Sequence, residues 1–242
     1  MPYKAVFFDM GNTLVSYYNK EEFAPVLEKC LLNALAYLRR EGLVFEPAVI
    51  LESAWQYNVE REDLRITPLE DRLAALFGLL HPDHPLMPGL VEAFMSPNLA
   101  LANPAPGALE TLIAIKDRGL VTGIISNTPW GSSRKMWSEQ LTALGLAPWL
   151  DHQVFCMDVG VRKPHPAIFE HAFELAGVTA QESLFDGDDP VWDVRGGRGV
   201  GMDVVLFDPE DNAEQPVPGE EPLTVVKSLS ELLPLLKNPP GS

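Results

Sequence analysis

Five short apolar runs are spaced along the chain, and helical patterns of apolar and polar residues separate most of them. A strand buried on both faces needs a continuous apolar run, whereas a helix covering a sheet repeats its apolar positions every three or four residues. The pattern predicts strands at 5–8, 121–125, 154–157, 183–185 and 204–207, and helices at 108–118, 134–144 and 166–177. This alternation predicts an α/β fold, a Rossmann-like parallel sheet with helices on both faces.

Residues 16–104 interrupt the alternation. Helical spacing repeats there without a strand-like run, and it predicts helices at 21–40, 47–61, 68–80 and 90–101. We therefore predict a catalytic core domain of residues 1–15 and 105–242, and an all-helical domain of residues 16–104. The chain is expected to close with a helix over 228–236 and a loose end over 239–242.

Polar side chains follow three of the predicted strands directly. Asp9 follows the first strand, Ser126 and Asn127 follow 121–125, and an acidic run over 186–193 begins as 183–185 ends. Open α/β sheets place their chemistry at the carboxyl ends of their strands, so these groups are predicted to meet. An Asp before a turn is more often a turn former or a helix cap than a nucleophile, so the assignment of Asp9 depends on the other groups.

The acidic run contains four carboxylates in eight residues: Asp186, Asp188, Asp189 and Asp193. Carboxylates crowded into one buried pocket raise each other's pKa, and they cannot all stay ionised there without a cation. Mg²⁺ fits such a site, because it binds a few carboxylates, backbone carbonyls, water and phosphate oxygens. Lys163 precedes the helix at 166–177, and on its own it could equally be a solvated surface lysine.

Taken together, these motifs resemble those of the haloacid dehalogenase (HAD) superfamily of hydrolases. The resemblance rests on Asp9 to Thr13, on Ser126-Asn127, on Lys163-Pro164, and on Gly187-Asp188 with Asp193, and it covers essentially the whole chain. The third and fourth motifs are specific in combination, whereas the Ser-Asn pair alone is weak. In this family an insertion after the first motif is a cap that closes over the catalytic face and selects the substrate.

The resemblance implies a role for each motif. Asp9 would be a nucleophile that forms a covalent aspartyl ester, Ser126 would hold a phosphoryl oxygen, and Lys163 would neutralise charge on both. Mg²⁺ would be held by Asp9, the Gly11 carbonyl and Asp188, with Asp193 in support or acting on Lys163. The same resemblance places Gly11, Asn12, Thr13 and Asn127 against the substrate. Trp130 is added to this group because its loop is expected to open onto the catalytic face.

Gly11 departs from the family pattern. Phosphatases of the family usually carry an Asp two residues after the nucleophile, and this Asp protonates the leaving alkoxide and later activates water. Loss of general acid–base help costs a factor of about 10² to 10⁴ in rate. Dehalogenases and phosphonate-cleaving members of the family also lack this Asp, so the reaction type stays open at this point.

Composition favours a soluble enzyme. The 242 residues are 46% hydrophobic, which suffices for a core domain with an insertion. No apolar run approaches the roughly 20 residues of a membrane span, and the two cysteines favour a reducing cytoplasm. The net charge of −16 argues against nucleic acid or anionic membrane as a partner. The pattern specifies no oligomeric state.

Two classes of function remain. The first is a Mg²⁺-dependent hydrolase, most simply a phosphatase of a small phosphorylated metabolite, with a dehalogenase or a phosphonatase as its competitors. No tyrosine follows Asp9, which disfavours the dehalogenase, and Lys20 and Lys29 offer only weak candidates for the Schiff base of a phosphonatase. The second class is a catalytically weak member that binds a phosphorylated ligand or a protein, for which Gly11 is the one positive argument.

Overall fold

The computed structural model describes residues 3–78, 81–211 and 221–236, and the contacts between their Cα atoms divide them into two compact units. The first unit holds the described residues of 1–16, 103–128 and 134–242. The second unit holds those of 17–102 together with 129–133. Each unit is built around its own apolar core.

The first unit is an α/β unit with a six-stranded sheet. The strands lie in the order β5-β4-β1-β6-β7-β8, and every neighbouring pair is parallel. The predicted fold class is confirmed. The strands are β1 (Ala5–Phe8), β4 (Val121–Ser126), β5 (His152–Phe155), β6 (Ser183–Gly187), β7 (Asp203–Phe207) and β8 (Thr224–Val226), and two short strands, β2 (Val15–Ser16) and β3 (Asn103–Pro104), pair antiparallel.

The central strand β1 explains why this sheet forms. All four of its residues are completely buried, as a strand with helices on both faces requires. The helices of the unit are α5 (Ala108–Lys116), α6 (Arg134–Ala143), α7 (Cys156–Val159), α8 (Pro166–Ala176) and α9 (Gly196–Gly199). They connect parallel strands, which cannot be joined by a tight hairpin.

Three predicted elements differ from the observed ones. The strand predicted at 154–157 begins earlier and ends at Phe155, where α7 starts. Strand β8 was not predicted, because it has only three residues and one of its two valines is half-exposed. In place of a helix over 228–236 there is a 3₁₀ turn at Leu229–Leu232, since Pro234 cannot donate a backbone hydrogen bond. The end predicted to be loose, 239–242, lies outside the described residues.

The second unit is helical, with α1 (Phe23–Arg40), α2 (Pro47–Tyr57), α3 (Leu69–Phe77) and α4 (Met87–Leu99). Helices α1 and α4 pack against each other, and α1 buries one apolar stripe that includes Leu27, Leu31 and Leu38. Helix α3 ends at Gly78, which has a left-handed backbone. None of the helices in the described part of the chain combines the length and apolarity needed to cross a membrane.

The segment 129–133 belongs to the second unit although it lies within the predicted core range. Its Trp130 is 5% exposed, packs on Phe23 and Phe94 with ring centroids 6.1 and 5.1 Å apart, and donates from Nε1 to Asn58 Oδ1 at 2.7 Å. Gly131 has φ +70°, and a Cβ there would overlap the carbonyl oxygen of Thr67. The chain therefore enters the second unit twice, first at residue 17 and again at residue 129. That the second unit acts as a cap stays a prediction.

Candidate functional site

The site lies in the first unit, where three neighbouring parallel strands end together. Asp9 follows β1, Ser126 is the last residue of β4, and Asp188 comes directly after β6. The Asp9 amide donates to the carbonyl of Asp186 at 2.8 Å, which extends the pairing of β1 with β6 into the site. The sheet therefore fixes where these side chains stand.

Lys163 is 2% exposed and lies between two carboxylates. Its Nζ is 2.8 Å from Asp9 Oδ1 and 2.5 Å from Asp193 Oδ1. Burial by itself would favour the neutral amine, but the charges of Asp193 and Asp9 outweigh it and raise the pKa of Lys163. The lysine is thus a permanent buried cation and not a solvated surface side chain.

The four acids of the run 186–193 have different surroundings. Asp189 Oδ1 accepts from the amides of Val191 and Trp192, both at 2.7 Å, so Asp189 caps the π-helical turn at Pro190–Arg195. Asp193 uses both oxygens, since Oδ1 binds Lys163 and Oδ2 accepts from the Asp189 amide at 3.0 Å. Asp188 Oδ1 accepts from the buried Thr13 hydroxyl at 3.4 Å.

Asp186 is completely buried within β6, and neither of its carboxyl oxygens has a hydrogen-bond partner among the described residues. Burial and the charges of Asp193 and Asp9 raise the pKa of Asp186 well above its usual range. Burial, Asp193 and Asp9 likewise raise the pKa of Asp188. Burial raises the pKa of Asp193 to about 7 against the opposing pull of Lys163. The site therefore holds more acids than its single lysine can neutralise.

A divalent cation fits this surplus of negative charge. Carboxylate oxygens of Asp9, Asp188 and Asp193 all lie within 4.8 Å of one another. Hard oxygen donors in such a cluster suit Mg²⁺. Gly11 follows Asp9 in the same turn and is half-buried.

The turn after Asp9 leaves room beside Gly11. Gly11 does not have a positive φ, and a Cβ built there would meet no atom within 4 Å. Asn12 does have a positive φ, 56°, and is exposed. Position 11 could therefore carry a side chain without strain.

The side chain of Asn127 forms hydrogen bonds with the backbone of Lys163. Its Oδ1 accepts from the Lys163 amide at 2.8 Å, and its Nδ2 donates to the Lys163 carbonyl at 3.4 Å. The hydroxyl of Ser126 makes only a long contact of 3.4 Å with the Asn127 carbonyl oxygen. Of this pair, Ser126 thus has the less engaged side chain.

Contacts join six of the predicted site residues into one cluster, namely Asp9, Thr13, Asn127, Lys163, Asp188 and Asp193. Gly11, Asn12 and Ser126 lie in the same unit, in the turn after β1 and at the end of β4. Trp130 belongs to the second unit and is buried there, and its predicted contact with the substrate stays a prediction. The pattern did not predict that Asp189 is a cap or that Arg162 lies over the Trp192 ring at 4.6 Å. No local signal set Asp186 apart, because in the sequence it is simply the first residue of the acidic run 186–193.

Comparison with known proteins identifies the family. The model of haloacid dehalogenase-like hydrolases matches residues 3–201. The chain belongs to this family. The sequence resemblance is thereby confirmed, and so is the expectation that the protein is an enzyme, a HAD-like hydrolase.

Relatives of this HAD-like hydrolase include several phosphatases. It is 30% identical to the glyceraldehyde 3-phosphate phosphatase of Pyrococcus furiosus over 99% of this chain and 95% of that protein. It is 31% identical to the phosphoglycolate phosphatase of Rhodospirillum rubrum over 84% of this chain and 79% of that protein. A 2-haloacid dehalogenase from Pseudomonas syringae pv. tomato has the same fold, with a TM-score of 0.71 at 21% identity over 97% and 98% of the two chains.

Replacing Gly187 should displace Asp193 from Lys163. A Cβ at residue 187 would overlap the Asp193 carboxyl group, so Gly187→Ala should destabilise the protein by about 1–3 kcal/mol and lower the hydrolase activity. The matched control is Gly199→Ala, where a Cβ would meet nothing within 4 Å. Denaturant unfolding measures both variants, and equal stabilities would contradict the overlap.

In the metal-free protein, the acids of the site should contribute less to stability as the pH rises. The folded state holds a proton on Asp193 up to about pH 7, whereas an unfolded Asp releases it near 3.8. Since Asp193 binds more protons in the folded state across this window, its contribution to the free energy of unfolding falls from about pH 4 to pH 7. Asp186→Asn removes another acid whose pKa is raised, so it should lessen the fall summed over the site.

Urea unfolding in the presence of a chelator, at several pH values, tests this expectation. The informative quantity is the difference between the natural protein and Asp186→Asn, because acids elsewhere in the chain contribute equally to both. A difference that stays constant between pH 4 and 8 would show that Asp186 titrates normally.

Proposed function

We propose that this HAD-like hydrolase is a Mg²⁺-dependent phosphatase that acts on a small phosphorylated metabolite through an aspartyl-phosphate on Asp9. The observation that carries the proposal is the contact of Lys163 Nζ with Asp9 Oδ1 at 2.8 Å inside a cluster of three carboxylates. A buried ammonium beside a strand-end carboxylate suits a nucleophile that must approach an anionic phosphoryl group. The phosphatase names of the relatives support the same reaction class.

The reaction takes place in two steps. A carboxylate oxygen of Asp9 attacks phosphorus, the bond from phosphorus to the substrate oxygen breaks, and that oxygen leaves with its electron pair. Water then attacks the aspartyl-phosphate, which releases inorganic phosphate and regenerates Asp9. Lys163 offsets negative charge on Asp9 and on the phosphoryl group, and the Ser126 hydroxyl donates to a phosphoryl oxygen.

The metal would be held by Asp9, Asp188 and the Gly11 carbonyl. Bound there, Mg²⁺ would supply positive charge toward the phosphoryl oxygens. Thr13 orients Asp188, and Asp193 keeps Lys163 in place. Thr13 and Asp193 therefore need not touch the substrate. Asn12 is proposed to contact the substrate from the turn after Asp9, and the second unit is proposed to be the cap that selects the substrate.

The named relatives narrow the substrate. Glyceraldehyde 3-phosphate and phosphoglycolate, named for two relatives, are phosphate esters of two or three carbons, and we propose a substrate of that size class. Cys30 and Cys156 are buried free thiols, which agrees with the reducing cytoplasm proposed as the compartment.

Gly11 favours one alternative, a weak or specialised phosphatase. Among the described residues, Asp193 binds Lys163 and Asp188 accepts from Thr13, so both acids are already engaged. Asp186 has no hydrogen-bond partner there, but it is completely buried within β6. A substrate whose leaving group departs without protonation would not need the missing acid. The same feature would fit a member that binds a phosphorylated ligand with little turnover.

Asp9→Asn should abolish phosphate release, by at least about 10³-fold, because the amide cannot act as the nucleophile. The measurement is a screen of small phosphorylated metabolites with Mg²⁺ and with chelator. Asp189→Asn is the matched control, since asparagine also caps a helix and should keep the activity.

Each arm of this screen can contradict the proposal. Full activity of Asp9→Asn would exclude Asp9 as the nucleophile. Full activity in chelator would favour metal-free chemistry. Release of halide from 2-haloacids with no release of phosphate from any ester would assign the protein to the dehalogenases.

The protein should hydrolyse aryl phosphates much faster than alkyl phosphates, since aryl oxygens leave without a general acid. Gly11→Asp should then raise alkyl-phosphate turnover selectively, by up to about 10²–10⁴-fold, because the backbone and the open space at residue 11 accept a side chain.

A Brønsted series of leaving groups measures this dependence. Gly11→Asn is the matched control, because it fills the same space without an acid. If the natural protein shows a flat dependence on the pKa of the leaving group, another group donates the proton. Equal gains from Asp and Asn would mean that the side chain at residue 11 acts by packing.

A further inference from the structure

Asn127 forms an unusual pair of hydrogen bonds with a single residue. Its carboxamide accepts from the Lys163 amide at 2.8 Å and donates to the carbonyl of the same residue at 3.4 Å. The two residues are 36 positions apart in the chain. The Asn127 side chain therefore satisfies both the backbone N–H and the backbone C=O of Lys163, as a neighbouring β-strand would do.

Lys163 needs such a partner because no helix or strand holds it. It lies in the loop between α7, which ends at Val159, and α8, which begins at Pro166. Yet its Nζ stands within 2.8 Å of Asp9 and 2.5 Å of Asp193. A loop residue placed this closely requires a second anchor besides the ion pairs at the end of its side chain.

Asn127 is well placed to be that anchor. It directly follows β4, which pairs with β1 in register through Ile124 and Phe8. Asp9 directly follows β1, so the sheet sets the distance between Asn127 and Asp9. The hydrogen bonds from Asn127 then fix the backbone of Lys163 relative to the sheet.

We infer that Asn127 is a positioning residue for Lys163 and not a substrate contact. The inference rests on the proposed function, in which Lys163 assists Asp9. Ser126 and Asn127 thus differ in role. The Ser126 hydroxyl, whose one hydrogen bond is long, serves the phosphoryl group, and the Asn127 carboxamide serves the lysine.

Amide hydrogen exchange tests the anchor without any turnover. In Asn127→Ala the Lys163 amide should exchange about tenfold faster, while the amides of β1 and β4 keep their protection. Asn127→Asp keeps the acceptor oxygen, so it should preserve most of the protection. The matched control is Asn33→Ala, which removes an exposed hydrogen bond to Ser96. Unchanged exchange at Lys163 in Asn127→Ala would overturn the inference.

Steady-state kinetics separate positioning from substrate contact. A misplaced Lys163 should lower kcat by about 10–100-fold in Asn127→Ala with little change in KM. The kcat of Asn127→Asp should recover toward that of the natural protein, although its added charge is expected to raise KM. A raised KM with unchanged kcat in the alanine variant would identify a substrate contact, and an aspartate variant as poor in kcat as alanine would overturn the role of the acceptor.

These outcomes remain separate from those of the proposed function. If Asp9→Asn retained full activity, the nucleophile assignment would fail, whereas the exchange result would still report whether Asn127 anchors Lys163. If Asn127→Ala did not fold, the exchange and kcat of Asn127→Asp would decide. That variant must then keep the Lys163 amide protected, and loss of the protection would overturn the inference.

Discussion

The buried ammonium of Lys163 is the constraint on which the site depends. A cation removed from water is costly unless carboxylates compensate for it at short range, and Lys163 has two of them, Asp9 and Asp193. To keep this geometry, Asn127 holds the lysine backbone, and the residue facing Asp193 must be as small as Gly187. Removal of either carboxylate would leave the buried ammonium with one partner in place of two.

The same pocket carries more negative charge than the lysine can balance. Asp9, Asp188 and Asp193 would give a charge of −3 when ionised, against one positive charge from Lys163. The surplus can be relieved by a proton or by a divalent cation. The raised pKa values of Asp188 and Asp193 favour neutralisation by protons. The cluster of carboxylate oxygens favours neutralisation by a divalent cation. A metal ion bound by these carboxylates would therefore compete with protons for the same oxygens.

Much of this arrangement could be predicted from the sequence. A strand buried on both faces leaves a continuous apolar run, so β1, β4, β6 and β7 were found within one or two residues, and the parallel sheet follows from the alternation with helices. Parallel strands end at one edge, which is why Asp9, Ser126 and Asp188 could be expected to meet. Their chemical roles stay predictions.

The remaining features depend on contacts between distant residues, which leave no periodic signal. Nothing local to Trp130 indicates that it belongs to the second unit, where its ring packs with Phe23 and Phe94. The bond from Asn127 to Lys163 spans 36 residues, and a polar residue after a strand is compatible with a ligand contact as well as with an anchor. The exposed valine of β8 broke the apolar pattern of a strand that pairing with β7 nevertheless supports.

The absence of a carboxylate at residue 11 is a chemical feature and not a demand of packing. Glycine is required where φ is positive or where a neighbour excludes a Cβ, and neither holds at Gly11, although the next residue, Asn12, does adopt a positive φ. The turn would fold with an aspartate in that position. The rest of the machinery, Lys163 with its two carboxylates, is complete and buried. In the proposed reaction, the missing acid should therefore make alkyl phosphates turn over slowly, and this includes the two- and three-carbon esters proposed as substrates. Esters whose leaving group requires no proton should not carry that penalty.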